Sequence, residues 1–226
     1  MTEAMNVRCA GITREFPIRN SEPARILKGI DLEIPKGQLT ILRGRSGSGK
    51  TTLMNIIGAL DRPTEGSVWY DDTEITALKE QEREALRKHD VGFVFQSVAL
   101  MPLMTAYENV EYALRMTGQK KDRDARVREC LGRVGLARRM QHFPAELSGG
   151  EQQRVAIARA MAHRPKIIFA DEPTGELDTR MSMQVVRIFR ELTREEQVTV
   201  LMTTHNPEVM EIGDRVYEIE DGVLVQ

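Results

Sequence analysis

The most constraining feature of this sequence is a glycine-rich loop that lies directly between an apolar strand and a helix. The loop runs from Gly44 to Thr51, reads Gly-Arg-Ser-Gly-Ser-Gly-Lys-Thr, and matches the pattern G-x-x-x-x-G-K-[ST] at every position. The residues from Leu39 to Leu42 predict the strand, and the apolar periodicity from Thr51 to Leu60 predicts the helix. A strand that enters a helix through such a loop favours an α/β fold.

The residue types of this loop suit the binding of a polyphosphate. Glycines allow backbone N–H groups to approach phosphate oxygens, and the N-terminus of the helix adds a partial positive charge. We expect Lys50 to reach the β- and γ-phosphates of a nucleotide and the hydroxyl of Thr51 to bind Mg²⁺. A flexible Gly/Ser loop is the alternative, but the flanking strand and helix favour nucleotide binding. This motif alone leaves hydrolysis open.

Strands and helices alternate through the last third of the chain, which favours a largely parallel sheet covered on both faces. The pair Asp221-Gly222 predicts a closing β-hairpin, and the opening third reads as strands and turns. Capping-box patterns predict two helices in the middle third. The predicted helices run from Thr105 to about Met116, from Asp122 to Val134, from Ser148 towards His163, from Arg180 to Glu195 and from Pro207 to Ile212, and the strands between them run from Lys166 to Ala170 and from Val198 to Thr203.

Two acidic residues, Asp171 and Glu172, directly follow an apolar strand that is predicted to be buried on both faces. Adjacent carboxylates are costly to desolvate, and at the carboxyl edge of a parallel sheet they face the crevice of the phosphate loop. Asp171 then suits the Mg²⁺ shell, and Glu172 suits the polarisation of an attacking water. A solvated acidic turn is the alternative. His205 follows the neighbouring strand, and we interpret it as a γ-phosphate contact, although a lone histidine is usually structural or exposed.

Composition argues against several classes of protein. The 226 residues are enough for one sizeable core, and a formal net charge of −2 gives no electrostatic reason to expect a nucleic-acid partner. Cys9 and Cys130 lie far apart, so we expect buried thiols rather than a disulfide scaffold or a zinc site. The longest apolar stretch, from Val98 to Met104, is too short to span a bilayer. No secretory signal is expected.

A second glycine-containing turn precedes the helix predicted after Ser148. The octapeptide from Leu147 to Arg154 reads Leu-Ser-Gly-Gly-Glu-Gln-Gln-Arg, and Ser148 and Glu151 can cap a helix whose free N–H groups form an anion site. A chain with one phosphate loop needs no second anion site for its own nucleotide. The simplest use of this site is to close over the nucleotide of another copy, and an ordinary capped helix is the alternative.

This octapeptide resembles the signature of ABC ATPases, and the other motifs follow in that family's order from Phe16 to the hairpin. The resemblance implies an α/β fold of the P-loop NTPase type, an ABC nucleotide-binding domain with a RecA-like core, an antiparallel β subdomain and a helical subdomain. It implies one domain over residues 1–226, with core and β subdomain at about 1–96 and 164–226 and the helical subdomain at about 97–163. It also implies ATP hydrolysis with Mg²⁺ by two copies that bind two ATP molecules head to tail.

The same resemblance implies roles for individual residues. Phe16 looks like the aromatic that stacks on adenine, although a core or surface phenylalanine also fits. Gln96 resembles the glutamine that contacts Mg²⁺ and senses the transporter, and Asp178 resembles the D-loop aspartate; that loop carries Glu176 where close relatives usually carry Asn. The implied catalytic residues are Glu172, His205 and Gln96, the implied metal ligands are Thr51, Gln96 and Asp171, and the implied nucleotide-binding residues are Phe16, Gly44, Arg45, Ser46, Gly47, Ser48, Gly49, Lys50, Thr51, Thr52, Ser148, Gly149, Gly150 and Asp178.

Within the family, the segments from Asn55 to Thr64 and from Ala170 to Gly175 are similar to the branch of lipoprotein-releasing, macrolide-exporting and cell-division ATPases. That similarity implies a separate integral membrane permease and a location at the cytoplasmic face of the cell membrane. The permease is expected to dock near the segment from Ser97 to Asn109, which is rich in Met, Leu and Val. An amphipathic piece of the core is the alternative for that segment.

Two other functions compete with this interpretation. A soluble role in DNA repair or translation is one, but relatives of that kind carry a long coiled-coil insertion or a second cassette, and this sequence shows neither. A regulatory protein that binds ATP without hydrolysing it is the other, and intact Glu172 and His205 argue against it. The transported substrate is not predicted, because its recognition belongs to the permease.

Overall fold

The computed structural model describes residues 5–19, 22–175 and 177–225. Glu176, where the sequence departs from the pattern of the family it resembles, lies outside the described residues. Ten strands, seven α-helices and a 3-10 turn at Pro144–Glu146 make up the described chain. The strands are β1 (Val7–Phe16), β2 (Ala24–Ile34), β3 (Leu39–Arg43), β4 (Glu65–Tyr70), β5 (Thr73–Glu74), β6 (Val91–Val94), β7 (Ile167–Ala170), β8 (Thr199–Thr203), β9 (Arg215–Glu220) and β10 (Val223–Leu224). The helices are α1 (Lys50–Ile57), α2 (Glu80–His89), α3 (Ala106–Met116), α4 (Arg123–Arg133), α5 (Gly149–Met161), α6 (Thr179–Glu195) and α7 (Pro207–Met210).

A six-stranded sheet runs through the centre of the molecule in the order β10-β9-β3-β8-β7-β6. All of its strand pairs are parallel except the terminal hairpin of β9 and β10. Strands β7 and β8 are buried along their whole length, as expected for a parallel sheet covered on both faces. The predicted parallel sheet and closing hairpin are confirmed. The carboxyl ends of β3, β8 and β7 lie side by side at one edge.

A four-stranded antiparallel sheet, in the order β2-β1-β4-β5, encloses a core together with α1 and one face of the central sheet. Leu53, Ile56 and Ile57 of α1 are buried there because residues three and four apart share one side of a helix. Helix α1 ends at Ile57, earlier than predicted, and Leu60 is exposed beyond it. This core supports the helix whose N-terminus carries the glycine-rich loop.

Helices α3 to α6 pack around a second core on the opposite face of the central sheet. Successive side chains of a strand point to opposite faces, so Ile168 of β7 lies in this core and Phe169 in the other. Thr105 and Ser148 cap α3 and α5 with the predicted capping boxes. Three of these helices, α3 to α5, fall within residues 97–163, and the boundaries of that helical subdomain stay a prediction.

Helix α2 was not predicted from the sequence. The one side chain of α2 that is buried is that of Arg83, so no apolar stripe marks this helix in the sequence. Arg83 donates hydrogen bonds to the carbonyl oxygens of Ala59 (2.8 Å) and Asp61 (2.7 Å) beyond the end of α1. Polar contacts, which periodicity does not reveal, therefore hold α2 in place.

Both cysteines, Cys9 and Cys130, are free and buried, as predicted. Burial raises the pKa of both thiols, that of Cys130 to about 11, so neither is a ready nucleophile at neutral pH. Across the ranges that the structure describes, every helix is too short or too polar to cross a bilayer.

Candidate functional site

The glycine-rich loop wraps around the amino group of Lys50, the first residue of α1. The Nζ atom donates hydrogen bonds to the carbonyl oxygens of Gly44 (2.8 Å) and Arg45 (2.9 Å), and the residue is 5% exposed. Gly44 has a φ of 151°, and a Cβ built there would lie 2.3 Å from the carbonyl oxygen of Ile219. The loop can therefore pass this close to β9 only with glycine at that position.

The acidic pair lies at the carboxyl end of β7, beside this loop. The carboxylate of Asp171 accepts hydrogen bonds from the hydroxyl groups of Thr51 and Thr203, both at 2.7 Å. These two bonds connect the acidic residue to α1 on one side and to β8 on the other. The structure thus brings the predicted Mg²⁺ ligands Thr51 and Asp171 into direct contact.

Thr203 is a site residue that the sequence analysis missed. Its hydroxyl is fully buried, donates to Asp171 and accepts a hydrogen bond from the backbone N–H of Glu172 at 2.8 Å. The register of β7 against β8 could have revealed it. Ala170 of β7 pairs with Met202 of β8, so the residues that follow them, Asp171 and Thr203, are neighbours. One threonine therefore orients both acidic residues.

Glu172 has a left-handed backbone conformation with a φ of 43°. Residues other than glycine, asparagine and aspartate rarely adopt it, and such conformations concentrate at functional sites. The carboxylate of Glu172 lies 3.9 Å from Nζ of Lys50 and 3.7 Å from Nδ1 of His205. The predicted base is thus placed between the phosphate loop and the predicted histidine.

Gln96 follows β6 and reaches the same place. A Cβ built on Gly175 would lie 3.7 Å from Nε2 of Gln96 and 3.6 Å from Oε2 of Glu172, so the two side chains converge on this glycine. Gly175 is also fixed by a hydrogen bond of 3.0 Å from its N–H to the carbonyl oxygen of Glu172. The amide of Gln96 is therefore part of the same constellation as the acidic pair.

Nine of the predicted residues line one cleft of about 440 Å³. Phe16 forms part of its wall, is 38% exposed, and has the guanidinium of Arg14 stacked 4.3 Å from its ring centroid. Arg45 and Ser48 line the adjacent depression beside the hairpin. The predicted residues in the cleft itself are Phe16, Ser46, Gly47, Gly49, Lys50, Thr51, Thr52, Gln96 and Glu172.

The remaining predicted nucleotide contacts do not line this cleft. Ser148 caps α5, and its backbone hydrogen bond to Glu151 holds the pKa of that carboxyl below its usual value. Gly150 packs against Met181, whose Cε lies 2.4 Å from a Cβ built on the glycine, and Asp178 accepts a hydrogen bond from the N–H of Met181. The starts of α5 and α6 are thus neighbours outside the cleft, with Ser148, Gly149 and Asp178 exposed.

Comparison with known families agrees with these motifs. The family model described as ABC transporter matches residues 27–175, a range that holds the glycine-rich loop, the octapeptide that begins at Leu147 and the acidic pair. The chain belongs to the ABC transporter family. The resemblance drawn from the octapeptide is therefore confirmed.

Relatives of this ABC cassette include proteins of two lengths. The macrolide export ATP-binding/permease protein MacB of Agrobacterium fabrum is 45% identical over 226 residues, which is 100% of this chain and 34% of MacB. The ABC transporter ATP-binding protein YknY of Bacillus subtilis is 44% identical over 220 residues, 97% of this chain and 95% of YknY. The cassette thus spans about a third of that MacB and nearly all of YknY.

A solved structure agrees with the fold. The ATP-binding cassette MJ0796, in a dimeric post-hydrolysis state bound to ADP and Pi, matches with a TM-score of 0.89 and 39% identity over 97% of each chain. The predicted α/β fold of an ABC nucleotide-binding domain is confirmed. The chain is an ATP-binding cassette of an ATPase family.

Proposed function

We propose that this ABC cassette hydrolyses ATP as a head-to-tail homodimer and drives a separate integral membrane permease. The observation that carries the proposal is the separation of two anion-binding elements within one chain. Lys50 and Glu172 line the nucleotide cleft, whereas Ser148 and Asp178 lie outside it. A second copy in the opposite orientation supplies these missing residues. The dimer formed by MJ0796 supports this arrangement.

The cleft fits a nucleotide together with Mg²⁺. The glycine loop leaves room where a Cβ would clash, and the buried amino group of Lys50 provides positive charge. The hydroxyl of Thr51 and the carboxylate of Asp171 offer the oxygen ligands that Mg²⁺ prefers. We assign these two residues and Gln96 to the metal, which when bound neutralises phosphate charge. Phe16, in the cleft wall, is assigned to the adenine ring.

We assign the hydrolytic step to three side chains, those of Glu172, Lys50 and His205. Glu172 accepts a proton from water as the water oxygen bonds to the terminal phosphorus of ATP. The bond from that phosphorus to the bridging oxygen breaks, and ADP and inorganic phosphate leave. Lys50 balances charge on the phosphates, and His205 contacts the transferred group. The side chains of Lys50 and His205 lie within 4 Å of Glu172, at 3.9 and 3.7 Å, which is why we assign them to this step.

The second copy closes the site with its own α5 and α6 starts. The capping box already uses the N–H groups of Ser148 and Glu151, so we assign those of Gly149 and Gly150 to the terminal phosphate. Ser148 and Gly149 are exposed at this helix start. Gly150 has no Cβ, so the turn approaches its neighbours closely. We assign Ser148, Gly149, Gly150 and Asp178 of each copy to the nucleotide held by the other.

The permease is proposed to bind near the segment from Ser97 to Asn109, which would hold the cassette at the cytoplasmic face of the membrane. Leu103 in this segment is 90% exposed, and Tyr112 and Met116 on the following helix are 40% and 55% exposed. Exposed apolar side chains of this kind are typical of protein contacts. A net charge of −2 gives no reason to expect a nucleic-acid partner.

Turnover by the purified chain tests this function. Glu172→Gln removes the proposed base while keeping the size of the side chain, so we expect ATP binding to persist and kcat to fall by about 10² or more. Glu84→Gln, an exposed change on α2, is the matched control and should hydrolyse ATP normally. Normal turnover by Glu172→Gln would remove Glu172 as the base, and stimulation by nucleic acid but by no membrane protein would contradict the permease assignment.

A further inference from the structure

One side chain joins helix α5 to the chain just after Gln96. Arg159, in the last turn of α5, donates from Nη1 to the carbonyl oxygen of Ala99 at 2.7 Å and from Nη2 to that of Val98 at 3.2 Å. Burial lowers the pKa of Arg159, and no carboxylate in the described chain offsets that effect. The guanidinium of Arg159 is thus partly desolvated where it binds these two backbone carbonyl groups. Desolvating a charge costs free energy, so a role in fixing the position of the two carbonyl groups would explain the arrangement.

The backbone at this contact is itself in an unusual conformation. Ala99 has a φ of 47°, in the left-handed region that residues with a Cβ rarely adopt. The residue is exposed, so packing of its side chain does not force this conformation. The hydrogen bond from Arg159 to its carbonyl oxygen stabilises the chain in this turn.

The rest of the segment is fixed from α3. Asn109 is fully buried, and its amide donates to the carbonyl oxygens of Met101, Met104 and Thr105 while its Oδ1 accepts from the N–H of Met101. These bonds shape the part of the segment that presents Leu103. Arg159 is the contact nearer to Gln96, since two residues separate that glutamine from Ala99.

We propose that Arg159 is a positioning residue for hydrolysis, which holds Gln96 in the nucleotide cleft by anchoring the chain that leaves it. The inference rests on the proposed ATPase function of this cleft. Gln96 is held on its other side by β6, whose last residue Val94 pairs with Ala170 of β7. With the chain fixed before and after Gln96, its amide stays beside Glu172. Without the side chain of Arg159, the chain after Gln96 loses its anchor at Val98 and Ala99.

Steady-state kinetics of the purified cassette test this role. Arg159→Met keeps the length of the side chain but removes the donors, so we expect kcat to fall roughly tenfold with KM for ATP unchanged, because small misplacements affect the reacting geometry first. Arg159→Lys keeps the positive charge but has one amino group in place of the two guanidinium donors, so it should retain part of the activity. Arg115→Met is the matched control, because that exposed arginine pairs only with Glu111 among the described residues.

A double-mutant cycle separates positioning of Gln96 from a general loss of structure. Gln96→Ala should lower kcat by itself, and adding Arg159→Met to it should cause little further loss, because the arginine acts through the glutamine. Additive losses from the two changes, or normal turnover by Gln96→Ala, would overturn the inference. In either case turnover by the wild-type chain would leave the ATPase function standing.

A pair of changes at Ala99 tests the same contact without touching the helix. Ala99→Gly accepts the left-handed conformation and should keep kcat, whereas Ala99→Pro fixes φ near −65° and should lower kcat as Arg159→Met does. This pair decides the matter if Arg159→Met does not fold. Equal kcat for the glycine and proline variants would refute the inference. A wild-type chain without turnover would instead refute the proposed function.

Discussion

At the scale of single residues, the hydroxyl of Thr203 determines how the acidic pair is presented. It donates a hydrogen bond to the carboxylate of Asp171 and accepts one from the backbone N–H of Glu172, and it is buried away from water. A buried polar group that loses its partner costs about 1–3 kcal/mol. Removing this hydroxyl should therefore affect stability and catalysis together.

Thr203→Val tests this prediction. We expect the free energy of unfolding, measured by urea denaturation, to fall by about 1–3 kcal/mol, and kcat to fall because Glu172 is no longer oriented. Thr40→Val on β3 is the matched control, since Thr40 is also fully buried but its hydroxyl has no hydrogen-bond partner among the described residues. That change should leave stability unchanged or raise it. Equal destabilisation by both variants would contradict the role of Thr203.

Much of this cleft could be predicted because its motifs are contiguous in sequence. The loop from Gly44 to Thr51 and the pair Asp171-Glu172 each carry their chemistry within a few residues. Thr203 could not be found in that way. A threonine at the end of a strand satisfies ordinary strand propensity, and its function arises only from the register of β8 against β7.

At the scale of elements, α5 and the residues after it connect distant parts of the fold. His163, two residues beyond the helix, donates from Nε2 to the carbonyl oxygen of Val91 at 3.0 Å and so joins α5 to the start of β6. Burial lowers the pKa of His163 below its ordinary value of 6.5, because the protonated ring is poorly solvated there.

This shift predicts acid sensitivity. The unfolded chain binds a proton at His163 near pH 6.5, while the folded chain does so only at lower pH. The contribution of neutral His163 to the stability of the fold is therefore complete above about pH 6.5. It is lost as the pH falls through the pKa of His163 in the folded chain. In denaturant titrations from pH 7.5 to 5, the free energy of unfolding of His163→Gln should fall less than that of the wild type. His142→Gln is the control, because that histidine is not among the groups that shift the pKa of His163, and it should leave the loss unchanged. Equal pH profiles for wild type and His163→Gln would refute the assignment.

Elements with local signals could be predicted well. The capping boxes at Thr105 and Ser148 predicted where α3 and α5 begin. Helix α2 could not be predicted, because its buried contact is that of Arg83 with carbonyl groups more than twenty residues away in sequence. The antiparallel sheet was expected from the family resemblance and not from strand spacing.

At the scale of the whole molecule, the fold places the two halves of the proposed nucleotide site on different parts of one chain. The central sheet and α1 carry the cleft with Lys50 and Glu172, and the starts of α5 and α6 carry Ser148 and Asp178. Alternation of strands and helices predicted the sheet, but a partner copy is a property of two chains. The octapeptide from Leu147 to Arg154 indicated a second copy only because a chain with one phosphate loop needs no second anion site for its own nucleotide.

The most direct test is the assembly state of Glu172→Gln with Mg·ATP, measured by sedimentation velocity. This variant keeps ATP intact, so two copies should remain joined through the two nucleotides and sediment as a dimer, and removal of ATP should return monomers. Adding Ser148→Arg should block dimer formation without preventing ATP binding by the cleft. A Glu172→Gln chain that binds Mg·ATP yet stays monomeric would contradict the shared nucleotide site.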